Sequence, residues 1–419
     1  MPLTITTPMD RSNRQSRPTS STFAALASRN YRLYWLGLVC YVLGHRAEYV
    51  TFAWMVWEIS RDPIYLGYLG VAQGVPLVMF QLFGGVLADR VHRLRLLIGT
   101  QTLTAMTLAI AFGASIAGLV RVEHLLALAA MSSSFRAFDE PTRLSLIPQL
   151  VERDRLPNAI ALGSIPWQAS RMIGPSVTGI LIAAFGGTVG FALAASASIA
   201  ALLLYSRLSV HADPSQSARE PLTHQLVEGL SFVAHDFVFA ALIGLALFNA
   251  VFGLSYVTLL PIFADSYFGM GSIGFGLLNA AHGIGACVGT LTIASTAHRI
   301  ARPGPLLLMT AVGMGLALVV FSRSAGMTMA VTLLVVVGFA NTFYLTQVST
   351  FVQSNVPDRL RGRVLSIYSL CWNLLPLGGL IGGVLAAAVD ARFAVAFGGA
   401  MVALNALVLL TSRRLRALA

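Results

Sequence analysis

Long apolar runs separated by short polar breaks dominate the chain. A membrane crossing needs ~20 mostly apolar residues. Twelve runs qualify, at about 33–57, 64–88, 94–119, 123–149, 157–184, 187–207, 237–262, 272–297, 303–323, 326–353, 362–388 and 391–412. The fourth and fifth are the least clean, because polar residues interrupt both. Runs of this length must be helices. An open strand leaves its N–H and C=O groups unsatisfied in hydrocarbon, and a barrel strand is far shorter. The longest break, roughly Ser206 to Asp236, falls after the sixth run and divides the chain six plus six. The pattern therefore predicts an all-α membrane protein, with twelve transmembrane helices in two six-helix halves.

Composition agrees and charge adds a direction. The chain is 56% hydrophobic and only 11% charged, against roughly 25% charged in soluble domains. All 28 basic residues are arginine. Twenty-one fall in one set of loops, run ends and tails, four (Arg61, Arg121, Arg323 and Arg392) on the opposite side, and three (Arg46, Arg136 and Arg171) near mid-depth in runs. The positive-inside rule puts the arginine-rich set, with both termini, in the cytoplasm. The net charge of +11 is thus a topology signal. No soluble basic face exists for nucleic acid. The expected organisation is a disordered cytosolic leader over 1–28, a first half over 29–207, a cytosolic linker over 208–236 and a second half over 237–419. The leader is rich in Ser, Thr, Pro and Arg and lacks the apolar core of a secretory signal; 22–28 reads as a short interfacial helix. In the linker, Leu222, Leu226, Leu230 and Val233 recur at helical spacing, which suits a helix on the inner membrane surface.

Ionisable residues inside the runs carry the candidate chemistry, since each costs about 2.5–3.5 kcal/mol to insert. His45, Arg46 and Glu48 lie near mid-depth in the first run, Arg136 in the fourth and Arg171 in the fifth. His45 and Glu48 share a helix face at i,i+3. Two readings stay open. Buried ion pairs would lock helices together. Alternatively, Arg46, Arg136 and Arg171 line a net-positive substrate cavity, with Glu48 and His45 as proton-coupling residues. In the second reading an anionic or polyhydroxylated substrate supplies the missing partner.

Other signals are weaker. Gly269 to Gly274 matches G-x-G-x-x-G but lies in a loop with no strand–helix unit around it. Cys40, Cys287 and Cys371 lie inside runs and read as packing residues. No P-loop, metal-ligand spacing or nucleophile–base constellation occurs, so the chain reads as neither an enzyme nor a metal or cofactor protein.

The second and third runs are joined by a very short turn, Gly85-Val86-Leu87-Ala88-Asp89-Arg90-Val91-His92-Arg93. It resembles the loop 2–3 signature of the major facilitator superfamily, G-x-L-A-D-R-x-G-R-R/K, with His92 and Leu94 departing from it. Arg136-Ala137-Phe138-Asp139-Glu140-Pro141-Thr142-Arg143, Arg171-Met172-Ile173-Gly174-Pro175, and Val356-Pro357-Asp358-Arg359-Leu360-Arg361-Gly362-Arg363 resemble its enterobactin-exporter-like branch, as does the stretch from Asn30 to Gly37. The likeness runs from about residue 22 to the end. It implies the major facilitator fold and a bacterial inner-membrane exporter of a siderophore or drug-like small molecule. It also implies alternating access, proton influx as the driving force, and a monomer in contact with membrane lipid. Gly85, Asp89, Arg90, Arg93 and Asp139 would form the gating set. Asp89 would face the start of the eleventh helix and Arg93 would pair with Asp139, together latching the halves when the outer side is open. Gly174-Pro175 resembles the helix-bending motif of antiporters. A lipid or lysolipid flippase and a non-transporting regulatory or assembly partner are the alternatives.

The arginine bias predicts that reporters fused at either terminus or within 206–236 report a cytoplasmic location. A periplasmic C-terminus would overturn the assigned orientation.

Overall fold

A computed structural model describes residues 23–210, 222–296 and 303–418, apart from the side chains of 82–90, 222–227, 229, 358 and 373. The described residues are helical throughout, with no strand. The helices are α1 (Arg29–Ser60), α2 (Pro63–Arg90), α3 (Arg93–Ile116), α4 (Val122–Arg136), α5 (Asp139–Leu150), α6 (Leu156–Phe185), α7 (Gly187–Tyr205), α8 (Leu222–His235), α9 (Phe237–Phe248), α10 (Tyr256–Ile262), α11 (Gly271–Thr296), α12 (Pro303–Ser322), α13 (Met327–Asn355), α14 (Asp358–Asn373), α15 (Leu375–Ala388), α16 (Ala391–Leu410) and the short α17 (Arg413–Arg416).

Nine helical stretches among the described residues are long and apolar enough to cross a bilayer. They coincide with the second, third and sixth to twelfth runs of the sequence. The first, fourth and fifth runs correspond to α1, α4 with α5, and α6, the helices that carry the mid-depth charges. The fourth run is broken at Ala137–Phe138. The seventh is continued past α9 by π-helical turns at Asn249–Gly253 and Phe263–Tyr267 on either side of α10. Large apolar side chains such as Met106, Ile110, Leu203, Met309, Leu404 and Val408 stay exposed. Lipid covers such a belt at no cost; water does not.

Local signals set the helix ends. Ser28 caps α1 by accepting from the Tyr31 N–H. Arg61, in the left-handed region at φ 51°, ends it. Asp236 caps α9 by accepting from Val238 and Phe239. Gly186, at φ 83°, makes the turn between α6 and α7.

The last residues of the expected leader are folded. A 3-10 turn over Ala24–Ala27 docks on the body, where the Ala25 N–H donates to Asn158 Oδ1 at 2.9 Å and Ser28 Oγ donates to the Leu150 carbonyl at 2.8 Å. The linker helix exists as α8. Its Glu228 pairs with Arg359 at 3.1 Å and with Arg363, which fastens it to the start of α14. Residues 1–22 and 211–221 lie outside the described residues.

Helices α1 to α7 pack among themselves, and so do α9 to α16. Two long seams join the halves: α6 against α11, and α2 against α15. Numbered by apolar run, these are five against eight and two against eleven. Adding six to each first-half number and subtracting six from each second-half number turns one seam into the other. That is the signature of two repeats related by a pseudo-twofold axis along the membrane normal. Glycines make both seams close. A Cβ built on Gly276 would lie 2.6 Å from the Pro175 carbonyl oxygen, and one on Gly383 would lie 2.9 Å from the Gly67 Cα. Gly383 belongs to the paired G-x-x-x-G stretch of α15, whereas the G-x-x-x-G of α11, Gly285 and Gly289, packs against Val335 and Phe339 of α13.

These approaches predict a contrast between two glycine-to-alanine changes. Gly276→Ala meets backbone and should cost about 1–3 kcal/mol, as overpacking does. Gly99→Ala on α3 meets nothing within 4 Å and should be neutral or gain up to ~1 kcal/mol from helix propensity. Thermal unfolding of the two variants in nanodiscs checks this; equal midpoints would refute tight packing at the α6–α11 seam.

Candidate binding cavity

A cavity of about 560 Å³ lies between the halves, at the level where the first-half charges sit. His45 and Arg46 of α1, Arg136 of α4 and Arg171 of α6 all line it. The sequence brought these four together only as a guess from depth. The second half contributes Asn279 and His282 of α11, Asn341 of α13, and the aromatic wall of Tyr368 and Trp372.

Glu48 is placed differently. It is 2% exposed and does not line the cavity. Arg136 Nη1 donates to its Oε2 at 3.0 Å, Ser132 Oγ donates to its Oε1 at 2.6 Å, and His45 Nδ1 lies 3.8 Å from Oε2. Arg136 also donates to Ser133 Oγ at 3.0 Å and contacts His45 Nδ1. His45 and Arg136 therefore stand between Glu48 and the cavity. The i,i+3 relation of His45 and Glu48 holds, and it is completed by an arginine from another helix.

The three arginines are not equivalent. Arg136 is neutralised by Glu48. Among the described residues, no carboxylate forms an ion pair with Arg46 or Arg171. The Arg46 Nε is buried without a hydrogen-bond partner. The cavity thus presents two uncompensated guanidinium groups, a costly arrangement unless water or an anion solvates them.

Gly174 and Pro175 occupy the junction of α1, α6 and α11. A Cβ on Gly174 would lie 2.7 Å from the Arg46 Cβ. Glycine there lets α1 pass α6 with Arg46 directed at the cavity. Pro175 lines the cavity, and its carbonyl meets Gly276 of α11.

The Arg93–Asp139 pair, expected when the outer side is open, is not formed in this state. Asp139 accepts from Thr100 Oγ1 at 2.6 Å and from Arg143 Nη2 at 3.2 Å, while Arg93 Nη1 donates to the Ser145 carbonyl at 3.1 Å. The reason is geometric. Arg143 is one helical turn from Asp139 on α5. Arg93 is seven residues before Thr100 on α3, ~10 Å along the axis at 1.5 Å per residue. The Arg143 guanidinium also lies over the Tyr41 ring at 3.2 Å from its centroid, which fixes it further. The side chains of Gly85, Asp89 and Arg90 lie outside the described residues; α2 runs on to Arg90, and α3 starts at Arg93.

Two features escaped sequence reading. His282 was missed although it sits about ten residues into the eighth run, where the rule that flagged His45 also applies. Tyr256 Oη is 2.8 Å from its Nδ1. The second is a polar closure at the arginine-poor end. Asp265 accepts from Trp57 Nε1 at 3.0 Å and pairs with Arg61, joining the halves there. Sequence separation hid it, since the partners are about two hundred residues apart.

Comparison with known proteins places this geometry in a family. Residues 20–418 match the family model described as transmembrane secretion effector. The staphyloferrin A transporter of Staphylococcus aureus is 24% identical over 347 residues, covering 81% of this chain and 85% of that protein. The enterobactin exporter of Shigella boydii is 29% identical over 294 residues, 69% of this chain and 68% of that protein. Among solved structures, a bacterial homologue of the human lysosomal transporter Spinster, inward-facing and unoccupied, superposes with a TM-score of 0.73 at 17% identity, covering 93% of this chain and 98% of that one. A D-xylose–proton symporter gives 0.70 at 13% identity, over 93% and 97%.

The buried pair predicts a test. Arg136→Leu strands the Glu48 carboxylate and should destabilise the protein by about 3–5 kcal/mol. Combining Glu48→Gln with Arg136→Gln should recover most of that loss. Thermal unfolding of the single and double variants measures the coupling; a single Arg136→Leu variant as stable as the parent would show that the pair holds nothing together.

Proposed function

We propose that this chain, which belongs to the transmembrane secretion effector family of the major facilitator superfamily and is a multi-pass membrane transporter, exports a small organic anion of siderophore type from the cytoplasm. The observation that carries the reading is the pair of cavity arginines, Arg46 and Arg171, with no carboxylate partner among the described residues. A neutral substrate would leave both charges desolvated and unpaired. An anion supplies what the protein withholds. Two relatives named for siderophore transport support a polar chelating molecule over a lipid.

Alternating access is the mechanism that fits two pseudosymmetric halves around a midplane cavity. With the arginine-rich loops in the cytoplasm of a bacterial inner membrane, the closure formed by Trp57, Arg61 and Asp265 is periplasmic, and the state seen is inward-facing. Turnover then requires that closure to part and the arginine-rich ends to meet. Gly85, Asp89, Arg90 and Arg93 lie at that end and remain the gating candidates. Proton influx is the proposed driving force. Glu48 is its candidate carrier, as the one acid among the described residues that hydrogen-bonds a cavity-lining residue, with Arg136 required to release it.

Transport assays separate these claims. Arg46→Gln and Arg171→Gln should each raise the KM for efflux of an anionic substrate about tenfold or more, equivalent to roughly 1.4 kcal/mol, at equal levels of folded protein. Unchanged KM in both would remove the anion reading. Glu48→Gln should abolish the response of efflux to an imposed pH gradient and leave downhill exchange intact. Full response to the gradient in folded Glu48→Gln protein would exclude Glu48 as the carrier.

A further inference from the structure

We infer that His282, held by Tyr256, is the second half's ligand for the substrate, and that with Arg46 and Arg171 it forms a three-point site for a small organic molecule bearing two carboxylates. This rests on the reading of the cavity as a transport site and adds a residue and a substrate class to it.

The seam between α6 and α11 brings the three side chains together. Gly283 meets the Arg171 backbone, since a Cβ there would lie 2.5 Å from the Arg171 carbonyl oxygen. The turn of α11 that carries His282 is thereby set against the turn of α6 that carries Arg171. One turn further along α6, Gly174 presses on Arg46 of α1. All three side chains line the cavity, and His282 lies within electrostatic range of both arginines.

The hydrogen bond to Tyr256 sets what His282 offers. Tyr256 is buried, and Nδ1 of His282 lies 2.8 Å from its Oη. A buried phenol left without an acceptor is costly. Only donation from Oη to Nδ1 satisfies it, and that places the imidazole proton on Nε2. Nε2 is then a neutral N–H donor on the cavity side, suited to a carboxylate. The imidazole held in this way serves as a hydrogen-bond donor.

Charge balance gives the substrate class. The charged groups at the site besides these two arginines are Arg136 and Glu48, which cancel; the titratable His45, Tyr49 and Tyr368 also line the cavity. Two positive charges remain. One carboxylate leaves a guanidinium uncompensated; two carboxylates balance both. The C-terminal half adds a hydrogen bond without charge, so a bound diacid contacts both halves and its occupancy bears on their approach. Tyr256 acts through His282 and is a positioning residue.

The test uses the full-length protein in nanodiscs, with acetate, succinate and citrate as probes and tryptophan fluorescence and thermal shift as readouts. Succinate and citrate should bind at least about tenfold tighter than acetate. His282→Ala should weaken the diacid by about tenfold and acetate far less, His282→Gln should restore most of the binding by keeping a donor, and Tyr256→Phe should fall between. Acetate binding as tightly as citrate overturns the two-carboxylate class. Unchanged binding in folded His282→Ala and His282→Gln, with loss in Arg46→Gln, overturns the role of His282 and leaves the anion cavity standing. Absence of carboxylate binding by the parent protein overturns both this inference and the anion reading beneath it.

Discussion

The fold depends on two backbone-to-backbone contacts between its halves. Lipid offers little hydrophobic drive for helices to associate, so close van der Waals approach must supply the adhesion. The seams α6–α11 and α2–α15 achieve it by removing side chains, with glycines at 67, 276, 283 and 383 against neighbouring backbone. A packed seam of this kind has no rotamers to rearrange and no salt bridges to break. The cavity lies between these two seams, closed at one end by the contact of Trp57 and Arg61 with Asp265.

Charge is distributed to match. Where an ion pair must be buried it is fully dressed: Glu48 accepts from Arg136 and Ser132, and Asp139 accepts from Thr100 and Arg143. Both pairs lie within the first half, so they hold α1, α3, α4 and α5 as one body. Arg46 and Arg171, which have no carboxylate partner among the described residues, face the cavity instead, where water or a ligand reaches them. The second half answers with neutral groups. His282 is held by Tyr256, and Asn341 Oδ1 accepts from Asn249 Nδ2 at 2.9 Å beside a π-helical turn. One half presents charge and the other presents hydrogen bonds, so a ligand that satisfies both must touch both.

The closure at the arginine-poor end is of a different kind from the seams. Asp265 is shared by the Trp57 indole and Arg61, and the Arg61 guanidinium also lies 5.7 Å from the Trp57 ring centroid. These are polar, partly exposed contacts, worth little each in water. Contacts of that strength can form and part within a cycle, whereas the glycine seams cannot separate without exposing backbone to hydrocarbon.

The sequence by itself determined the class, the helices, their grouping and the residues worth watching. Hydropathy placed the runs, because the bilayer imposes a length and forbids unsatisfied backbone. Arginine placement gave an expected orientation. Insertion cost singled out His45, Arg46, Glu48, Arg136 and Arg171, since a charge at mid-depth is too expensive to be accidental. What sequence could not decide was which charge meets which. Glu48 was paired with Arg136 across 88 residues, Asp139 with its neighbour Arg143 and not with Arg93, and Asp265 with Arg61 across 204. Such pairings depend on helix rotation and on how far a side chain reaches across a seam. Neither is written in the spacing along one helix. The tertiary structure alone therefore separated the paired Arg136 from Arg46 and Arg171, which have no ion pair among the described residues, because only packing decides which polar atoms are left facing the cavity.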